Sequence, residues 1–248
     1  MRGDIMSNIF KPTDKDLLDK IKGIQKGINA YPDGIIGPQT IDSLYRQFAE
    51  VEYPYEEKFF GGIVIYTKNI EIDYSQNKRA VKDIPYSISG VFQWNSKAIS
   101  VLVSEGKVIN NSSSHAWLKQ PETILYKTHH GVLGAIRAIS IPYDLISDIE
   151  WAVSGVGLHN YNPTAEGFTG AYSDVLRSTG HTGIGITEEN EIALLYKKCN
   201  GPQFKDWAIN KLGLKFAIML DGGHIAAINT PKYKYNIYQK QNNIIYAR

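Results

Sequence analysis

The stretch FAIMLDGGHIAAIN, Phe216 to Asn229, decides how the larger part of this sequence is read. Phe216 to Leu220 is an apolar run of strand length, Asp221-Gly222-Gly223-His224 interrupts it, and Ile225-Ala226-Ala227-Ile228 resumes it. Paired glycines allow a backbone turn that side chains would block. Asp221 then falls at a strand terminus, where a rigid sheet can aim a carboxylate into a cleft.

Outward from this stretch the texture is similar. GGIVIYTKNIEIDY, AISVLVSEGKVINN, IEWAVSGVGLHNYN and TGIGITEENEIALLYKK are short apolar or β-branched runs separated by Gly, Asn and charged turns, the signature of strands. PQFKDWAINKLG reads as a helix with Phe204, Trp207, Ala208 and Leu212 on one face and Gly213 at its end. GVLGAIRAIS, Gly131 to Ser140, is a second candidate for a short helix. The expected fold class is α+β: a strand-rich mixed domain with few helices over residues 53–248, preceded by a small all-α domain over residues 1–52.

In the N-terminal part, Thr13 with Asp16 has the form of a capping box, and Leu17, Leu18, Ile21, Ile24 and Ile28 recur at helical spacing. YPDGIIGPQT, Tyr31 to Thr40, then packs three turn signals together. A second helix with the stripe Ile41, Leu44, Tyr45 and Phe48 is expected, followed by the polar linker AEVEYPYEEK, Ala49 to Lys58. Helix, DGIIGPQT turn and helix resemble the peptidoglycan-binding type 1 domain. The resemblance rests on Gln25, Asp33, Gly34, Gly37, Pro38 and Thr40, and it implies wall binding through Asp33, Gly34, Gly37 and Thr40.

Composition narrows the partners. The 248 residues are 43% hydrophobic and 21% charged, as in ordinary globular proteins, and no apolar run approaches the roughly 18 residues of a membrane span. A net charge of +2 without a Lys/Arg block gives no nucleic-acid footprint. One cysteine, Cys199, excludes an internal disulfide, a Cys-based zinc site and a CxxC redox pair, and packs as a small hydrophobe. The N-terminus lacks the apolar core of a secretory signal. No nucleic acid or membrane is expected as a partner.

Four segments in order carry a second resemblance. SISGVFQ (Ser87 to Gln93), WAVSGVGL (Trp151 to Leu158), GHTGIGI (Gly180 to Ile186) and MLDGGHIA (Met219 to Ala226) are similar to successive motifs of the phosphodiester glycosidase family, across residues 60–230. The departures are specific. Ser89 stands where the family has Asn, His181 where it has Arg, and His224 and Ile225 follow the glycines where it has Gly and Ser. A bidentate permanent cation is thereby exchanged for a titratable imidazole.

The resemblance implies a cleft with Asp221 as first catalytic candidate, joined by His181 and His224. Glycoside cleavage asks for an acid and a second carboxylate. Glu166 and Asp174, in the polar insertion before His181, are the candidates for the second. Ser89, Gly155, His159, Thr182, Gly222, Gly223 and Arg177 are expected to contact substrate, and Tyr161, Phe168 and Tyr172 are candidate rings for stacking on a sugar. No P-loop, nucleophile elbow or HExxH motif is present. No cofactor is required, while Asp221, His181 and His224 leave a divalent metal open.

A wall-binding segment beside a glycosidase-like domain, without a signal peptide, resembles the layout of phage endolysins. That implies a hydrolase made in the cytoplasm, acting on bacterial cell-wall glycan after holin release. Two alternatives stay open: a sugar-1-phosphodiester hydrolase, and a non-catalytic wall-binding or structural protein.

Overall fold

The structure, a computed structural model, describes residues 14–27, 30–37, 40–41, 53–113, 120–168 and 174–248. Thr13, Ile28, Pro38, Tyr172 and the second-helix positions Leu44, Tyr45 and Phe48 lie outside the described residues. Two compact units are present, residues 1–52 with Lys211–Gly213, and residues 53–210 with 214–248.

In the first unit, an α-helix runs Lys15–Gly27. Its cap is Asp14, whose carboxylate accepts from the Leu17 N–H at 2.9 Å, the geometry of a capping residue satisfying an orphan donor. The expected stripe is only partly buried: Ile21 is inside, whereas Leu17 and Ile24 are exposed.

In the second unit, the larger sheet among the described residues has ten strands. Eight follow one path: Tyr55–Phe59, Gly62–Thr67, Ile192–Cys199, Thr179–Ile186, Phe216–Gly222, Ile149–Gly157, Leu102–Ser104 and Lys107–Asn110. Glu122–Thr128 adds to Ile149–Gly157 and pairs with Leu133–Ala138. A five-stranded sheet orders Lys234–Tyr235, Ile228–Asn229, Ser87–Ser89, Lys240–Ala247 and Ile70–Ala80.

Successive side chains of the central strands point to opposite faces, and both faces are buried. Ile63 and Ile65, Ile184 and Ile186, Ile192 and Leu194, and Ile218 and Leu220 join one core cluster with Ile70, Ile72, Ile88, Ile228 and Ile245 of the smaller sheet. On the other side of the larger sheet, the helical segment Gly201–Lys211 buries Phe204, Trp207 and Ala208. Asn200 begins it with a reciprocal capping box to Gln203, and its last turn widens to π geometry over Trp207–Lys211.

The helix expected in GVLGAIRAIS is instead the strand Leu133–Ala138. Its antiparallel register places Gly134 opposite Tyr126, and a Cβ at Gly134 would lie 2.6 Å from the tyrosine ring. That close approach suits glycine in a strand. His129 and His130 form the turn after Glu122–Thr128.

Candidate functional site

The opening interruption is a β-bulge. Gly183 pairs with Met219, but His181 pairs with Gly222, so Leu220 and Asp221 together oppose the single residue Thr182. Bulges bend a strand and re-aim one side chain, and they recur beside active sites. The Asp221 N–H leaves the ladder and donates to the Gly90 carbonyl at 3.4 Å, while the Asp221 carbonyl accepts from Thr182 Oγ1 at 2.8 Å. Thr182 Oγ1 lies 3.3 Å from Ser89 Oγ, which accepts from the Ala227 N–H at 3.1 Å. Ser89 and Thr182 are both fully buried, and their hydroxyls pin the smaller sheet to the bulge.

The Asp221 carboxylate accepts from the Gly222 N–H at 2.9 Å. Burial pushes its pKa up to about 8, with the Asp174 charge adding to the rise and backbone N–H groups of Gly222 and Gln93 opposing it. The carboxyl is therefore largely protonated at neutral pH. Asp174 pairs with Arg177 and presses against Gly223: at φ +73°, a Cβ on Gly223 would sit 2.1 Å from Asp174 Oδ2. A side chain there would have to displace the Asp174 carboxylate and adopt a backbone conformation that L residues disfavour. Two carboxyls and a guanidinium thus meet at one strand end.

His181 is brought there but turned inward. It is fully buried, its ring lies 5.6 Å from Phe204, and Nε2 is 3.3 Å from the Arg177 carbonyl. Burial lowers its pKa, against the opposing pull of the Arg177 and Cys199 carbonyls and the Asp174 charge. The imidazole is neutral at pH 7. Its Nδ1 has no hydrogen-bond partner among the described residues, and a Cβ on Gly222 would approach it to 3.4 Å. His224 is exposed on the single turn Gly223–Ile225. Among the described residues, no group of three or more His, Cys, Asp or Glu side chains is placed to hold a metal ion.

Other expected residues separate from this cluster. Gly155 lies in the sheet, where a Cβ would strike the Met219 carbonyl at 2.2 Å, so it serves close strand packing. Glu166 and His159 line a different cavity, beside Phe216 and Ala217 at the opposite end of the Asp221 strand. At about 3.3 Å per residue that is roughly 15 Å away. Glu166 and Asp174, neighbours in one polar insertion of the sequence, therefore stand at different ends of that strand.

Phe168, expected as a sugar platform, is buried against Phe92 at 4.6 Å between ring centroids. Tyr161 spends its hydroxyl on the Val175 carbonyl at 2.5 Å. Trp94, which the sequence reading missed, is 55% exposed on the hairpin Gln93–Trp94/Lys97–Ala98. It directly follows Gln93, whose backbone contacts Asp221. The signal was present in Asn95-Ser96, both at positive φ in the hairpin turn.

The wall-binding candidates of the first unit form a closed network. The two Gln25 Nε2 hydrogens are shared among Asp33 Oδ1 at 2.8 Å, the Ile35 carbonyl at 2.9 Å and Thr40 Oγ1 at 3.0 Å, and Gln25 Oε1 accepts from the Gly34 N–H at 2.8 Å. Gly34 has φ +76°, and a Cβ there would lie 2.3 Å from Leu18 Cδ1. Asp33, Gly34 and Thr40 thus hold the turn against the helix, with Gln25 and Thr40 buried. Gly37 follows that turn without a positive φ, and its carbonyl accepts from the Ile41 N–H at 3.1 Å.

No known family profile matches the sequence. No curated protein matches it either. Among solved structures, the chain is similar to the zebrafish N-acetylglucosamine-1-phosphodiester alpha-N-acetylglucosaminidase catalytic domain auto-inhibited by its pro-peptide, at TM-score 0.58 and 13% identity, over 79% of this chain and 81% of that one. A putative exported protein from Burkholderia pseudomallei matches at TM-score 0.54 and 10% identity, over 75% of this chain and 73% of that one. The chain therefore shares its fold with these two solved structures.

Proposed function

We propose that the strand-rich unit is a hydrolase that cleaves a glycosidic linkage in a bacterial cell-wall glycan or an attached wall polymer, with Asp221 as proton donor. The observation that carries this reading is the Asp221 carboxyl, set at the end of a bulged strand with its pKa raised to about 8 and a second carboxylate, Asp174, beside it. A carboxyl that stays protonated at neutral pH can deliver its proton to a leaving glycosidic oxygen. Asp174, held by Arg177, is the charged partner that stabilises positive charge developing on the sugar. His181 orients this end of the site through the Arg177 carbonyl and exchanges no proton with substrate. Trp94 offers an exposed ring for a sugar's apolar face.

The N-terminal resemblance supports the choice of a wall polymer: a tethered second module raises the effective concentration at an insoluble substrate. An endolysin-like role belongs to the same reading. Arg177 favours a second reading, hydrolysis of a sugar-1-phosphodiester. Its guanidinium is 57% exposed while paired to Asp174, which leaves donors for a phosphate.

Mass spectrometry of products released from purified Gram-positive walls tests both. Reducing sugar ends support glycosidic cleavage, and released sugar with a new phosphomonoester supports the second. Release of neither by the wild-type chain rejects hydrolysis and favours a non-catalytic wall-binding protein.

A further inference from the structure

The cavity at the far end of the Asp221 strand has no part in the mechanism above, yet it is built around a buried carboxyl. It has a volume of about 450 Å³, within the range of small-molecule sites. Glu166 forms part of its wall with a side chain only 4% exposed. Glu166 Oε2 accepts from the Gly157 N–H at 2.8 Å, and Oε1 lies 3.7 Å from Arg137 Nε. Gly157 makes room: a Cβ there would lie 2.2 Å from Thr123 Oγ1 and 3.1 Å from Glu166 Oε1.

The charge balance around the opening is positive. Arg137 and Lys215 both line it, Lys205 lies near enough to His159 to help burial depress that imidazole's pKa, and His159 is consequently neutral. Against these stand Glu166 and, behind the wall, Glu122, whose Oε2 accepts from Ser154 Oγ at 2.5 Å. Burial raises the Glu166 pKa to about 7, so much of its charge is absent at neutral pH. Arg137 is 55% exposed, and its guanidinium retains N–H groups beyond the one nearest Glu166. Phe216 supplies an apolar wall, and Asn160 and Asn162 supply amide groups.

We infer that this cavity is a second binding site, separate from the Asp221 cluster, for a small hydroxylated organic anion of the size of a sugar phosphate or sugar acid. Glu166 holds Arg137 over the cavity, Arg137 and Lys215 take the anionic group, and the amides and Phe216 take the hydroxylated ring. The phosphate and carboxylate forms share this recognition chemistry.

Titration calorimetry on the full chain at pH 7 and low salt tests it, with glucose 1-phosphate, N-acetylmuramic acid and uncharged N-acetylglucosamine as probes. Saturable binding of at least one anionic sugar below about 10 mM is expected, with the neutral sugar at least about tenfold weaker. The Arg137→Met/Lys215→Met double variant should lose about tenfold or more of that affinity and keep its melting temperature, because both side chains are surface-reaching. Asp221→Asn should leave the affinity unchanged. Absence of saturation by both anions, equal affinity for the neutral sugar, indifference to the double substitution, or loss of binding in Asp221→Asn would each overturn the assignment. None of these outcomes bears on hydrolysis at Asp221, so the two readings fail independently.

Discussion

The strand Phe216–Gly222 ends in two places that each hold a carboxyl with a raised pKa, and they are built differently. At one end a bulge carries Asp221 out of the ladder, where its neighbours are another carboxylate and backbone N–H groups. At the other, Glu166 reaches in from a separate turn, Pro163–Glu166, and is partly balanced by Arg137. Desolvation is the main cause of the raised pKa in both. The difference lies in the neighbour. At Asp221 the acid acts on the carboxyl directly and the Arg177 cation is paired to Asp174, an arrangement suited to proton transfer; at Glu166 the cation Arg137 faces the carboxyl and the second acid, Glu122, lies behind the wall, an arrangement suited to holding an anion.

The sharpest way to break this contrast is to remove each carboxyl's proton chemistry without changing its shape. Asp221→Asn should lower hydrolysis of wall substrate by about 100-fold or more, and Glu166→Gln should change it by less than about threefold, as kcat/KM comparison will show. A reversed pattern would move the active site to the cavity.

The pH dependence of stability separates the same two groups. Both folded-state pKa values are raised, so each carboxyl contributes stability that is fully present below its ordinary pKa and is lost as pH rises through its folded value. For Asp221 that window runs from about 4 to about 8, and for Glu166 from about 4.5 to about 7. The loss is at most about 1.4 kcal/mol per pH unit for each group. In melting curves from pH 5 to 9, Asp221→Asn should flatten the decline up to pH 8, and Glu166→Gln only the part below pH 7.

His181 sharpens the contrast further, since the Asp221 end contains an imidazole that is structural. His181→Ala should cost about 2–4 kcal/mol of stability by leaving a cavity against Phe204. Below its melting temperature the variant should keep more than about a tenth of wild-type kcat, because a group acting as proton carrier would cost more. Larger loss of kcat in a folded variant would return His181 to the chemistry.

The smallest effects come from the two glycines that admit the carboxyls. Gly223→Ala drives a Cβ into Asp174, and Gly157→Ala drives one into Thr123 and Glu166. Each should cost about 1–3 kcal/mol, read from denaturant midpoints. Gly223→Ala should also reduce hydrolysis, and Gly157→Ala should reduce only anion binding in the cavity.

Much of the fold was legible because its signals are local. Alternation along Ile184–Ile186 and Ile192–Leu194, the turn chemistry of Asp33-Gly34 and the apolar face of Phe204, Trp207 and Ala208 each depend on residues a few positions apart. GVLGAIRAIS misled for the same reason: its short apolar run fits helix or strand, and only pairing with Glu122–Thr128 decides. The sequence by itself determined that the apolar run breaks at Asp221 and that two glycines follow, while the strand itself continues through Gly222. Tertiary structure alone decided that the break is a bulge opposite Thr182, that His181 and Phe168 are buried, and that Glu166 and His159 sit at the other end of the strand from Asp221. Register and burial depend on contacts between segments far apart in the chain. A one-residue offset between two strands leaves no trace in either strand's own pattern, yet it sets where every following side chain points.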